Sequence, residues 1–485
     1  MTIKRAFLFS FVERYSVTAI NLAVTIAVSR ILTPEQYGIS VIGSAGLAIA
    51  DVVRDLGTGS YLVQQKQLTI GKIRTAFTVT LVSALAITAI LLALSQAISE
   101  YYAVSGLTTY VQVGLAPMLL GPFISTVAGL LRRDMCFGKL AVASIAASLV
   151  NAGAAVLLSL MGVGFMSFAW ANALSAAVSL VVLLSYRPER SIFIPSLREW
   201  RDVLSFGVYA TSTSGLSILW EQVPYLIFGR ILGGEAVGLY QRAYLLSRQP
   251  DRVLLAGVGA VALPALALHV REGKKLSVSY LQAVEYITVV RWPALVVLSI
   301  VAYPYVLILL GSQWLSIVPL VQIMAIAQLS AFTASLDYPV LLAVGAVRHA
   351  LLLTVVQLGI SLPIMLCVAP YGLEAVALSS LFTVSCNIGL SVCLVRYHIR
   401  FRWRDLIAAT RKSAVVTALS GVGPLAVFLG SWPHPGISVA WTIVALGLAA
   451  LGWVGGLWFS DHPLLREVIR RGMPAVEIGD KKIAT

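Results

Sequence analysis

The sequence predicts an all-α polytopic membrane protein of about fourteen transmembrane helices, arranged as two parallel six-helix bundles plus two C-terminal helices. Three observations predict it: too little charge to clothe a water-facing surface, repeated apolar runs of spanning length, and Lys and Arg concentrated in alternate connections. Of 485 residues, 59% are hydrophobic and 12% charged, against roughly a quarter charged in an average soluble domain. A helix rises about 1.5 Å per residue, so about twenty apolar residues cross a hydrocarbon core of about 30 Å.

The apolar runs place spans near 6–30, 37–56, 75–98, 107–131, 140–161 and 165–186, and these form an N-terminal lobe over 1–186. A polar stretch, 187–202, holds Pro188, Pro195 and four arginines and reads as a cytoplasmic linker. A second lobe over 203–395 has spans near 203–229, 236–264, 282–310, 316–345, 349–369 and 372–395. An extra helix pair follows within 396–459, with spans near 410–430 and 436–459, and then a cytoplasmic tail at 460–485.

Short cytoplasmic loops hold Lys and Arg in excess. One set of connections carries Lys66, Lys72 and Arg74; Arg132, Arg133 and Lys139; Arg271, Lys274 and Lys275; Arg348; and Arg396 to Lys412. The alternate connections, near 100–106, 161–164, 311–314, 370–372 and 431–436, hold none, and only the hairpins with Arg30 and Arg230 break the pattern. Both termini are therefore expected on the cytoplasmic side, with an even number of spans. The net charge of +14 is read as this topological signal, with affinity for anionic lipid headgroups; no nucleic-acid partner is implied. Glu13 and Arg14 interrupt the first apolar run, which sets it apart from a signal peptide. Cys136, Cys367, Cys386 and Cys393 lack disulfide or zinc spacing and read as packing residues, and the five histidines form no metal pattern.

An internal repeat runs from Arg30-Ile31-Leu32 through Glu35 to Gly38, echoed by Arg230-Ile231-Leu232 through Glu235 to Gly238. Each copy sits in the hairpin between the first and second span of a six-span group, and by charge both face outward. Parallel halves of this kind are a transporter architecture, with substrate held between lobes that rock. Prolines inside spans, among them Pro117, Pro122, Pro224, Pro264, Pro293, Pro339 and Pro363, give the helices places to bend.

Ionisable groups in a bilayer are costly and should face a polar cavity or a partner. Arg14, Arg54, Arg242, Arg248, Arg252 and Arg291 are candidate linings of a central basic cavity for a diphosphate-bearing ligand, because the planar guanidinium matches phosphate oxygens. On one continuous helix Arg248 lies roughly 120° and Arg252 roughly 80° from Arg242, which puts the three on one side. The other reading of these arginines is that they pair with Asp51, Asp55, Asp251 and Glu221 or reach to headgroups. Asp51, Glu221 and Asp337 are candidate sites for a coupling proton or sodium ion, with simple ion pairing as the alternative.

With the Arg-Ile-Leu-x-x-Glu-x-x-Gly hairpin, its echo running on to Tyr240, and Leu263-Pro264 closing the eighth span, the chain resembles Wzx-type polysaccharide flippases of the multidrug, oligosaccharidyl-lipid and polysaccharide (MOP) exporter superfamily. The resemblance covers essentially the whole length and is strongest to exopolysaccharide exporters of Gram-negative bacteria. It implies a MATE-like, V-shaped pair of bundles in the bacterial inner membrane that flips a polyprenyl-diphosphate-linked oligosaccharide by alternating access. It further implies no cofactor and no catalysis, with membrane lipids and the polysaccharide polymerase and chain-length machinery as candidate partners. A multidrug exporter and a peptidoglycan-precursor flippase share that architecture; the excess of intramembrane Arg favours an anionic ligand over organic cations. A membrane polymerase or ligase would call for a sizeable external loop, and the outward connections here are short.

Overall fold

The computed structural model describes residues 3–254, 275–430 and 439–465. The expected Leu263-Pro264 ending, Arg271, Lys274 and all of the tail beyond residue 465 lie outside them. The described residues are helical, and eleven helices are long and apolar enough to cross a membrane. Each expected span meets a helix in the described residues, and the long helices outside those eleven begin at Pro34, Trp200 and Gly233, where the charged residues concentrate.

The chain runs α1 (Ile3–Ile31), α2 (Pro34–Asp55), a short α3 (Thr58–Gln64) that hydropathy does not foretell, α4 (Ile70–Tyr102), α5 (Leu107–Arg133), α6 (Phe137–Leu160) and α7 (Met166–Tyr186). Next come α8 (Trp200–Ile231), α9 (Gly233–Ser247), α10 (Gln249–Leu254), α11 (Leu276–Ile300) and α12 (Ala302–Leu309). The last are α13 (Val318–Leu329), α14 (Ala334–Ala343), α15 (Val347–Val368), α16 (Leu373–Ile399), α17 (Trp403–Gly430) and α18 (Val439–Phe459).

Local chemistry sets several of the ends. Thr33 caps α2 by accepting from the Gln36 amide with Pro34 in the first turn, and Thr69 caps α4 by accepting from Lys72; both satisfy donors a helix start leaves open. Three spans expected to be continuous are broken. Pro250 has no N–H for the Leu246 carbonyl, so α9 gives way to α10 at Arg248; Pro304 likewise frees Ile300 between α11 and α12. The third break, Ser330–Thr333, lies between α13 and α14, where the Ser330 hydroxyl donates to the Ala327 carbonyl.

The chain divides into two compact units. The first comprises Met1–Arg242 with Leu309–Ile317 and Thr354–Val376; the second comprises Ala243–Ile308, Val318–Leu353 and Ala377–Thr485. In the first, α6 packs on α7 and α1, and α4 and α7 pack on α5. The segment after α7 docks there too: Ser191 O accepts from Arg74 Nε at 2.9 Å, Ser196 N donates to Thr78, and Phe193 meets Phe77 and Phe123. In the second, α11 lies against α13 and α17, and α17 against α18. The cysteines correct the packing expectation: Cys367 and Cys393 are exposed on helix surfaces, as apolar thiols facing lipid would be.

Candidate functional site

The two repeat hairpins meet inside the first unit. Gly38 of α2 and Gly238 of α9 lie backbone on backbone: a methyl group at Gly38 would sit 1.7 Å from the Gly234 carbonyl oxygen, and one at Gly238 would sit 2.1 Å from that of Pro34. Only a residue without Cβ permits this approach. The shared glycines of the repeat are thus the contact surface of its two copies.

Beside this crossing Arg242 is 2% exposed. Its guanidinium carbon lies 3.7 Å from the Tyr37 ring centroid and 5.6 Å from that of Trp314. Tyr37 donates from its hydroxyl to Gln241 Oε1 at 2.7 Å. Trp314 is fully buried and donates from Nε1 to the Ser29 carbonyl at 2.7 Å, while Gln313 donates to the carbonyls of Ser29 and Leu32. The Ser312–Ile317 turn therefore satisfies the last carbonyls of α1, which have no partner within the helix, and in doing so seats an indole against Arg242. Among the described residues no carboxylate pairs with Arg242, and its Nε has no hydrogen-bond partner.

Further along α2, Arg54 is buried and its Nε donates to Asp51 at 2.9 Å. Its Nη1 has no partner and lies on Gly121, where a Cβ would stand 2.1 Å from it. Asp51 also lines an open cavity of about 580 Å³ with walls from α1, α2, α5, α6 and α7, together with Glu13, Arg132, Tyr110 and Asn172. Tyr110 shares a 2.8 Å hydrogen bond with Ser44, and Asn172 accepts one from Asn151 at 2.8 Å.

In the second unit Arg291 is held from several sides. Its Nη2 donates to Asp251 at 2.8 Å and to Gln328 at 3.3 Å, its Nη1 donates to the Ala331 carbonyl, and its Nε stands 2.7 Å from Asp251 Oδ1, close but poorly aligned. Asp337 is buried and accepts three hydroxyl hydrogen bonds, from Tyr280 at 2.9 Å, Thr333 at 2.8 Å and Ser391 at 2.7 Å. Hydroxyls stabilise the carboxylate without neutralising it, and each can turn a lone pair toward a bound cation.

Of the six candidate arginines, Arg14, Arg54 and Arg242 fall in the first unit and Arg248, Arg252 and Arg291 in the second. Arg14 and Arg252 are exposed, and Arg248 is half-buried and donates to the Tyr244 hydroxyl. The expectation that Arg242, Arg248 and Arg252 share one side of a continuous helix is corrected: the helix breaks at Arg248. Of the candidate carboxylates, Glu221 is exposed, Asp51 is half-exposed in its ion pair, and Asp337 is buried. Sequence reasoning missed Tyr37, Gln241 and Trp314 around Arg242 and the hydroxyl cage of Asp337. Tyr37 stood inside the repeat; Trp314 carried no local signal.

A family model described as a polysaccharide biosynthesis protein matches residues 27–319. The chain is 22% identical over 323 residues to the lipopolysaccharide biosynthesis protein WzxC of Escherichia coli (strain K12), covering 64% of each chain. It is 25% identical over 319 residues to the succinoglycan biosynthesis transport protein ExoT of Rhizobium meliloti (strain 1021), covering 65% of this chain and 64% of that one. The teichuronic acid biosynthesis protein TuaB of Bacillus subtilis (strain 168) is 23% identical over 298 residues, covering 61% of this chain and 62% of its own. The matches thus span just under two thirds of these relatives' lengths. Among solved structures, the lipid II flippase MurJ in an inward closed conformation superposes with a TM-score of 0.75 at 12% identity, over 96% of this chain and 100% of its own. An inward-facing multidrug resistance MATE family transporter of the MOP superfamily gives 0.63 at 17% identity, over 79% of this chain and 94% of its own. These likenesses establish the fold.

Proposed function

Because the chain belongs to the polysaccharide biosynthesis protein family, we propose that it is a flippase that moves a polyprenyl-diphosphate-linked oligosaccharide across the bacterial cytoplasmic membrane by alternating access, for exopolysaccharide or O-antigen synthesis. Translocation makes and breaks no bond, so the protein is a transporter and not an enzyme. Three relatives are named for the biosynthesis of lipopolysaccharide, succinoglycan and teichuronic acid, and the succinoglycan one for its transport. The fold is that of a lipid II flippase.

The observation that carries the choice of an anionic ligand is Arg242. Guanidinium stays protonated in proteins, and a buried charge is tolerated where something offsets it. Two aromatic faces do so in part, and an unpartnered Nε remains. A diphosphate oxygen would supply the missing acceptor. Arg54, with one buried nitrogen unpartnered, has the same surplus, whereas Arg291 is already engaged by Asp251, Gln328 and Ala331. For coupling to protons or sodium, Asp337 is the best suited of the three carboxylates, being buried among hydroxyls and not tied to a cation.

The charge pattern supports cytoplasmic termini, and a polysaccharide polymerase with its chain-length machinery would receive the flipped unit. The test is complementation of cells lacking the gene with Arg242→Met, which keeps the volume and removes the charge. Lipid-linked repeat units should accumulate in the cytoplasmic leaflet at normal protein levels. Normal polymer export by that variant would overturn the assignment of Arg242.

A further inference from the structure

A second basic site, built from none of the candidate arginines, lies at the turn joining α16 to α17. Arg400, Phe401 and Arg402 form the turn, and Phe401 anchors it: its ring is 4% exposed and stacks on Tyr280 at 5.5 Å. The flanking arginines are thrown outward on both sides of that plug. Two cavities of about 830 and 540 Å³ share the walls made by Arg400, Phe401 and Arg402, and the larger adds Arg396, Tyr397 and His398.

The arginines have little to neutralise them. Among the described residues no carboxylate lies within 4.0 Å of the side chains of Arg396, Arg400, Arg402 or Arg404. Asp405, the nearest acid in sequence, accepts from the Arg402 backbone N–H at 3.1 Å. Arg396 donates from Nε to the Phe401 carbonyl at 3.1 Å and stacks on Trp403. Arg400 has φ of 51°, a left-handed conformation that favours glycine, yet it projects a long cationic side chain. Tyr397 and Ile407 are 74% and 66% exposed beside the arginines, and Trp403 42%. Charge at the end of two apolar spans, bordered by exposed aromatic and aliphatic side chains, is the signature of a membrane interface.

We propose that this turn is a binding site for the phosphate of an anionic phospholipid headgroup in the leaflet the arginines face, with the acyl chains alongside Tyr397 and Ile407. The site does not depend on what the protein transports. A free phosphate shares the chemistry, but the exposed apolar border gives it nothing to contact, which favours the lipid.

The experiment is native mass spectrometry of the full-length protein purified in detergent and supplied with phosphatidylglycerol, phosphatidylcholine or inorganic phosphate alone. Phosphatidylglycerol should be retained over phosphatidylcholine, with retention falling roughly fivefold for each arginine removed. Arg400→Gln with Arg402→Gln should show that fall at unchanged thermal stability, since neither side chain holds the turn together. Arg400→Gly supplies the second arm: it relieves the left-handed backbone, so it should keep or raise stability while lowering lipid retention. Equal retention of both lipids, undiminished phosphatidylglycerol binding in the double variant, or equal occupancy by inorganic phosphate alone would overturn the proposal.

Discussion

Substituting Gly38 by alanine tests the repeat crossing. The added methyl would lie 1.7 Å from the Gly234 carbonyl oxygen and 2.7 Å from the Gly238 nitrogen, and both are backbone atoms that cannot rotate away. Reaching ordinary contact means that α2 and α9 separate by more than about 1.5 Å. Such a shift stretches the 2.7 Å Tyr37–Gln241 hydrogen bond past its useful range and lifts Arg242 off the Tyr37 ring. Overpacking of this kind costs about 1–3 kcal/mol, and the lost bond and cation–π contact add about 1–2 kcal/mol more. On the same helix, a Cβ added at Gly46 would meet nothing within 4 Å, so Gly46→Ala is the matched control. Thermal unfolding of the purified protein in detergent should show a marked loss for Gly38→Ala and none for Gly46→Ala. Equal behaviour of the two variants would refute the backbone contact between the repeats.

Other perturbations have defined outcomes. Arg242→Lys keeps the charge but not the flat stacking surface; it should lose about 1–2 kcal/mol of stability by denaturant unfolding, and no loss would mean that the rings do not hold the guanidinium. Asp337→Asn should abolish the dependence of transport on a proton or sodium gradient while Glu221→Gln, at an exposed site, leaves it intact; persistence of the dependence in Asp337→Asn would remove Asp337 from that role. His462 is fully buried, accepts from the Leu464 amide and faces Glu285 at 3.8 Å. Burial, with Lys412 adding, pushes its imidazole down to about 4. Its folded value lies below the ordinary value of about 6.5, so its contribution to stability is present above that pH and is lost as pH falls through 6.5 toward 4. Unfolding temperature followed across this interval should fall more steeply for the wild type than for His462→Gln, and parallel curves would show that His462 is not the group responsible.

The fold was legible because a bilayer imposes one-dimensional rules: span length, apolarity and the placement of Lys and Arg are local properties of the chain. The breaks at Arg248 and Val301 were legible in principle, since Pro250 and Pro304 stand in the sequence, but a hydropathy run gives no account of the carbonyls those prolines leave open. The repeat was visible as Gly38 and Gly238, though not that the two copies touch, because contact between segments two hundred residues apart depends on how α2 and α9 cross. The environment of Arg242 was the least legible feature. Its second ring, Trp314, reaches it through a turn that returns from a distant part of the chain to cap α1. Charge alone did not separate the guanidinium caged by rings from Arg291, which is tied to a carboxylate. That difference depends on partners brought in by tertiary structure.

Reconstitution tests the central claim most directly. Purified protein in liposomes would be given a polyprenyl-diphosphate-linked oligosaccharide with a reporter on the sugar, and exposure of the sugar on each leaflet would be followed by a membrane-impermeant quencher. The expected result is protein-dependent transfer that slows with Arg242→Met and is competed by other polyprenyl diphosphates. Liposomes in which the sugar stays in its original leaflet, while an organic cation crosses, would contradict it.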